Sequence, residues 1–289
     1  MLVVEAPQRG AAVHVVPTRA LALLPPNAAD ALRAHGSATP DGGALCVDGA
    51  VLSATLRGCL PRNALVDGRV TGFTQQAGEI QVRLEGRAGR RSQRSVTCAA
   101  LLGAGGVSCA VRSALLGAAP INKRVGLWRG TCAAQADDGW PAGTLELARD
   151  ADGACVGAAV RHGMHLFWSL LAPPLPPRAT LDGNAVAALA LLAARWPSLA
   201  AVVAQTRAHH ASCELVPEPQ RPLRGQNGVL LLGDAARGMP SASMDELAAT
   251  ADDVSLMVQA LDTFQALKYT PDDLAAAANA YATAAAFHG

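Results

Sequence analysis

The segment Gly228-Val229-Leu230-Leu231-Leu232-Gly233-Asp234-Ala235-Ala236 constrains this chain more than any other. Val229 to Leu232 has the length and the unbroken apolarity of a strand buried on both faces. Asp234 then stands just past the strand's carboxyl end, beside Ala235 and Ala236, whose small side chains let a ligand approach closely. Ligands of open α/β sheets bind at that edge. A loop aspartate in such a place can also cap the next helix, and the segment alone leaves both roles open.

A second strand-turn-helix unit lies earlier. Val96 to Leu102 is strand-like, Gly103-Ala104-Gly105-Gly106 is a glycine turn, and Ser108 to Leu116 has helical character. Read as GxGxxS, the turn can present backbone N–H groups to a phosphate. A dinucleotide fingerprint also needs a carboxylate about 20 residues further on. Lys123 and Arg124 occupy that region, and the first carboxylate after the turn is Asp137.

The remaining pattern alternates strands with helices around a β-rich insert, which indicates an α/β fold. Leu2-Val3-Val4-Glu5 suits a buried parallel strand, and residues 45–60 read as strand then helix. Helical character over 17–35 is interrupted by Pro25-Pro26, with Asn27 placed to cap a short helix from Ala28 to His35. Ile80, Val82 and Leu84 alternate with polar residues, as in a half-exposed strand. The basic run from Arg87 to Arg94 reads as a solvated hairpin tip. Several strands are expected over 125–170, a helix over 184–207, a helix from about Asp245 to Leu267, and a last helix after Thr270-Pro271.

Composition excludes several classes. The chain is 51% hydrophobic and only 16% charged, so it can bury a sizeable core. A net charge of +1 gives no general attraction to nucleic acid or to an anionic membrane. The longest apolar run, Ala185 to Ala194, is half the length of a membrane span. The 7 cysteines form no CxxC pair and no regular spacing, which points to a reducing compartment such as the cytoplasm rather than a disulfide framework or a zinc site.

Other chemistry-bearing residues are less informative. His162 and His165, in HGMH, fit a strand pair, and further zinc ligands are not evident. His209-His210 suits a helix end, where a cation complements the dipole. Ser108 is not in GxSxG, so a hydrolase nucleophile is unsupported. Trp128, Trp140 and Trp168 read as core rather than as a substrate platform. No catalytic base can be named.

Residues 228–261 resemble, without a gap, the GDAAH-x-MPP…GQG-x-N…EDA…L segment of the FAD-dependent aromatic-ring monooxygenases typified by para-hydroxybenzoate hydroxylase. The matching residues are Gly233, Asp234, Ala235, Ala236, Met239, Pro240, Asp252, Asp253 and Leu261. Residues 102–112 resemble the family's VGADG-x-x-S-x-VR signature, and Gly10 to Leu21 resembles its GAGI-x-L-x-PNALRAL segment. The order of the motifs along the chain agrees, and Tyr281 falls where the closing helix has its usual tyrosine.

The resemblance implies a Rossmann-like FAD-binding domain over 1–120 and 210–289, with a β-rich substrate domain over 121–209. It implies NAD(P)H-dependent hydroxylation of an aromatic or other small apolar substrate. Glu5 would hold the adenosine ribose, Gly233, Asp234 and Ala235 the ribityl and pyrophosphate region, and Pro240 the flavin ring. It implies neither a metal nor a membrane span. Departures also stand out. The family's opening strand and GxGxxG turn have no counterpart, because Met1 falls at the start of the family's second strand. The DG aspartate is Gly105, an arginine is replaced by Gly49, the histidine after GDAA is Arg237, and the glycine loop reads Met244-Asp245-Glu246-Leu247-Ala248. A non-catalytic descendant, or a fragment that no longer binds FAD, is the alternative expectation.

Overall fold

In the computed structural model the described residues are 3–5, 13–76, 79–86, 93–135, 139–174, 183–218, 222–238, 242, 246–265 and 280–281. The chain opens with β1 (Val3–Glu5), β2 (Val13–Pro17), α1 (Thr18–Leu21), α2 (Pro26–His35), β3 (Ser37–Ala38), β4 (Ala44–Asp48), α3 (Gly49–Gly58) and β5 (Leu65–Asp67). Helix α2 begins at Pro26, with Pro25 as its cap, and Asn27 lies inside it rather than capping it. Proline's fixed φ and missing N–H suit the first helical position, so the prolines start this helix instead of breaking it.

Next come β6 (Arg69–Gln76), β7 (Glu79–Glu85), β8 (Gln93–Cys98), β9 (Leu101–Gly103) and α4 (Ala110–Leu116). Strands β6, β7 and β8 form an antiparallel sheet, and in β7 Ile80, Val82 and Leu84 are buried while their neighbours are exposed. That alternation is the period of two that one buried sheet face demands. The single strand expected over 96–102 is in fact two, because the chain leaves this sheet at Cys98 and enters a different one at Leu101. The pairing reaches Glu85↔Gln93, while most of the basic run, 87–92, lies outside the described residues.

The β-rich part comprises β10 (Ile121–Ala133), β11 (Leu145–Arg149), β12 (Cys155–His162), β13 (His165–Ala172), the helices α5 (Gly183–Leu192) and α6 (Pro197–Ala204), and β14 (Ala211–Pro217). The five strands form one antiparallel sheet in the order β11-β12-β13-β10-β14. Residues beyond 209 therefore contribute an edge of this sheet. The helix expected over 184–207 is two helices, because Pro197 cannot continue α5 and instead opens α6. Both helices cover one sheet face, burying Trp128, Trp168, Leu189, Leu199 and Val202 together. The tryptophans are core, as the sequence suggested. Trp168 pairs in register with Gly130, and its Nε1 donates to Thr206 Oγ1 at 2.8 Å, which satisfies the ring's one donor.

The last described elements are β15 (Gly225–Gln226), β16 (Val229–Leu231), α7 (Asp234–Arg237) and α8 (Glu246–Gln265). Among the described residues the parallel pairing occurs in two separate places, β1 with β5 and β9 with β16. Leu102, in the middle of β9, is 45% exposed, although parallel strands ordinarily have both faces covered. The proposed last helix after Thr270 lies outside the described residues except for Ala280 and Tyr281.

A Cβ added at Gly130 would lie 2.5 Å from Trp168 Cζ2. Gly130→Ala is expected to lower stability by about 1–3 kcal/mol through overpacking, read as a lower urea midpoint. An unchanged midpoint would show that Trp168 is not fixed over the glycine.

Candidate functional site

Strands β9 and β16 run parallel in the register Val229↔Leu101, Leu230↔Leu102, Leu231↔Gly103. Their carboxyl ends therefore emerge side by side, and the two sequence motifs, 126 residues apart at Ser108 and Asp234, meet at one sheet edge. The backbone of Leu232 donates to Gly103 O at 3.0 Å and carries the pairing to the turn.

Gly233 has φ 61° and ψ −139°, a conformation that L side chains rarely adopt. A Cβ there would also lie 2.6 Å from Thr250 Oγ1 on α8. Glycine is thus required both by backbone geometry and by the close approach of α8. The turn is anchored by Asp253, whose side chain is only 4% exposed. Its Oδ2 accepts from Gly233 N at 2.7 Å and lies 3.6 Å from Arg237 Nη2. Its Oδ1 accepts from Arg224 Nη1. Arg237 Nη1 in turn donates to Asp234 Oδ1 at 3.2 Å. Arg237, standing where the resembled family has histidine, thus bridges the buried carboxylate and the one at the cleft.

From the other side, the buried Arg112 of α4 donates through Nη1 to Ala235 O at 2.7 Å and Ala236 O at 3.2 Å. The two motifs are therefore bonded to each other as well as adjacent. Gly103 is close-packed, since a Cβ would meet Leu231 Cδ2 and Val111 Cβ at 2.8 Å. Gly106, with φ 69°, would point a Cβ into open space. Gly106 also lines a cleft of about 200 Å³. On one side lie the turn Gly105 to Ser108 and Asp234; on the other lie Leu127 and Arg129 of β10 and Glu214 to Val216 of β14. Arg129 Nη1 and Glu214 Oε2 are 3.7 Å apart across its sheet wall.

Several expected residues fall elsewhere. Glu5 ends β1, opposite Asp67. Pro240 and Met239 lie outside the described residues, as do Met244 and Asp245. His162 pairs with His165 across the β12–β13 turn, and its Nδ1 is 3.1 Å from Ser37 Oγ. Burial pushes the His162 imidazole below its ordinary range. His209 and His210 close a short turn after α6. Burial pushes the Cys46 thiol up to about 11, and it is no nucleophile near neutrality. Among the described residues no cluster of side chains could hold a metal ion. None of the described helices is long and apolar enough to cross a membrane. Sequence reasoning missed Arg224 and Arg129, neither of which falls in a motif or at a telling spacing.

Tyr281 is buried beside Leu230 and Leu232, and its Oη donates to Leu231 O at 3.4 Å. Burial, then the nearby Asp253 charge, raise its hydroxyl to about 12.

Neither a protein-family model nor a curated protein matches the sequence. Solved structures do match. The HpxO protein of Klebsiella pneumoniae, complexed with FAD and uric acid, shares 17% identity at a TM-score of 0.64, over 97% of this chain and 76% of that one. PqsL of Pseudomonas aeruginosa, a probable FAD-dependent monooxygenase, shares 16% at 0.64, over 97% and 84%. The 2,6-dihydroxypyridine-3-hydroxylase of Arthrobacter nicotinovorans shares 14% at 0.59, over 96% and 79%. At identities this low the likeness shows the fold alone.

Two outcomes test the geometry. Asp253→Ala leaves Arg224 and Arg237 without their buried counter-charge and is expected to cost about 3–5 kcal/mol in urea unfolding; a loss under 1 kcal/mol would contradict a buried anchor. For Tyr281, the folded state holds its proton to higher pH than the unfolded chain does. Its stabilisation is therefore complete below about pH 10 and lost as pH rises towards 12. Tyr281→Phe should flatten the fall in stability across that window.

Proposed function

We propose that this chain, which has the fold of the FAD-dependent monooxygenases, is an FAD-dependent oxidoreductase that hydroxylates a small aromatic or apolar substrate using NAD(P)H. One observation carries the reading: the parallel register of β9 and β16 brings a glycine turn and a strand-end aspartate to a single cleft facing the five-stranded sheet. Open α/β sheets bind their ligands at such an edge.

The residues present fit a hydroxyl-bearing, dinucleotide-like group. Gly106 leaves open space where a side chain would intrude. Asp234 offers a carboxylate acceptor to the ribityl hydroxyls. Gly233 and Ala235 keep the approach to it clear, and Asp253 fixes its direction through Gly233 and Arg237. Glu5, at the end of β1, is assigned the adenosine ribose, and Pro240 the edge of the flavin ring. The FAD-binding part would take residues 1–120 and 218–289, and the substrate part 121–209 extended through β14 to residue 217.

When bound, FAD supplies the electron transfer from NAD(P)H and the activation of oxygen. The chain's own contribution is placement and exclusion of water. The inner face of the five-stranded sheet presents Leu127, Val160, Phe167, Leu171 and Val216, apolar side chains that pack with residues of the facing elements. A dry wall of that kind favours an apolar substrate and shields the reaction from solvent.

Titration of the purified chain with FAD, followed by flavin fluorescence, tests the proposal. Saturable quenching is expected, with Asp234→Ala weakening binding about 10–100-fold through loss of charge-assisted hydrogen bonds. A folded chain that leaves FAD fluorescence unchanged would overturn the proposal and return the non-catalytic reading.

A further inference from the structure

We infer that the outward face of α5 and α6 docks on an anionic lipid surface. This face lies across the five-stranded sheet from the cleft, and the inference does not rest on the cofactor reading.

Among the described α-helices, α5 and α6 alone carry no charged side chain. Leu189, Leu199 and Val202 bury their inner side against the sheet. Their outer side is apolar as well. Ala187 and Leu191 on α5, and Pro197, Ala201 and Ala204 on α6, are all exposed at helical spacing. A surface helix ordinarily turns polar residues to water, and a helix that is apolar all round is ordinarily covered. At the end of α5, Leu191 is 76% and Leu192 45% exposed. These adjacent leucines are the part of the face that gains most from being covered.

Charge decides what covers it. No aspartate or glutamate occurs from Gly183 to Cys213, so the overall charge of +1 conceals a segment of one sign. Arg195 links α5 to α6 and Arg207 follows α6. Both are exposed, and neither has an ion-pair partner among the described residues. His209 and His210 follow Arg207, beside Ala208, which packs against the helix–sheet core. A second copy related by a two-fold axis would set like charges against each other, whereas an anionic partner complements them. The Arg195 guanidinium carbon lies 4.3 Å from the centroid of the Trp196 ring, and the indole Nε1 donates to Arg149 O at 2.9 Å. Projecting leucines followed by arginine and tryptophan match the layering of a bilayer surface, with apolar chains within and indole and guanidinium at the headgroups. Asp150 and Asp152 stand in the turn after Arg149, where Asp150 Oδ1 accepts from the amides of Asp152 and Ala154. Their carboxylates set a limit to the docking face, since anionic headgroups repel them. Neither helix is long enough to cross a bilayer, so the face lies on the surface.

The test is sedimentation of the full chain with vesicles of phosphatidylcholine alone, or of phosphatidylcholine with phosphatidylserine, at low salt. Binding to the anionic vesicles should be at least about tenfold tighter and should weaken as salt is added. Leu191→Ser combined with Leu192→Ser should weaken it about tenfold or more. Arg195→Gln and Arg207→Gln should each weaken it about fivefold. Leu56→Ser, at a leucine of α3 that is 39% exposed, should change nothing. Urea unfolding shows which variants are folded; were the leucine pair unfolded, the arginine variants carry the comparison. No binding, equal binding to both vesicles, or binding that folded leucine variants leave unchanged overturns the inference. Sizing of the lipid-free chain covers another occupant: a dimer that Leu191→Ser breaks, in a chain that does not bind vesicles, assigns the face to a second copy. Capture by immobilised polyglutamate without vesicle binding assigns it to an acidic protein.

Discussion

The buried carboxylate of Asp253 is the contact on which the cleft depends. A charge taken out of water is costly unless it is paired and hydrogen-bonded. Here it meets the Gly233 amide and two guanidinium groups, those of Arg224 and Arg237. The consequences run outward from there. The amide bond holds Gly233 in its positive-φ conformation, which turns the chain so that Asp234 faces the cleft. Arg237 ties Asp234 back to the same anchor. Because Asp253 belongs to α8, the anchor also sets that helix against the turn, where Thr250 leaves no room for a side chain on Gly233.

Arg112 secures the other side by bonding α4 to the carbonyls of α7. The cleft floor is thus tied on one side by the buried Arg112 and on the other by the buried Asp253 with its partly exposed arginines. The facing wall is built differently. It is a broad antiparallel sheet whose outer face is sealed by α5 and α6 with tryptophan, leucine and alanine, and whose inner face packs against β2, β4 and Ala242 except where β10 and β14 line the cleft. Under the proposed function a rigid polar floor and an apolar wall would divide the work, the floor holding a hydroxyl-rich group and the wall lying against the reactant.

Much of this was legible in the sequence because it is local. An unbroken apolar run ending in Gly233-Asp234 reads as a buried strand delivering a carboxylate, and β16 and α7 are that unit. The alternation at Ile80, Val82 and Leu84 and the core placement of Trp128, Trp140 and Trp168 follow from equally local rules. Boundaries were less legible. Asn27 looks like a cap until Pro25 and Pro26 are weighed as a helix start, and the run 184–207 hides a break at Pro197. Least legible were pairings between distant residues. Arg224 and Asp253 are 29 positions apart, and Arg129 meets Glu214 only because β10 and β14 are neighbours in the sheet. No periodicity or spacing encodes such contacts; they exist only once the strands have been ordered.

The most direct test of the account is a crystal structure of the chain grown with FAD. The account predicts continuous density with the ribityl hydroxyls against Asp234, beside the Gly105 to Ser108 turn, and the flavin ring turned towards β10. FAD bound away from that cleft, or a cleft filled by the chain's own side chains with no FAD density, would contradict it.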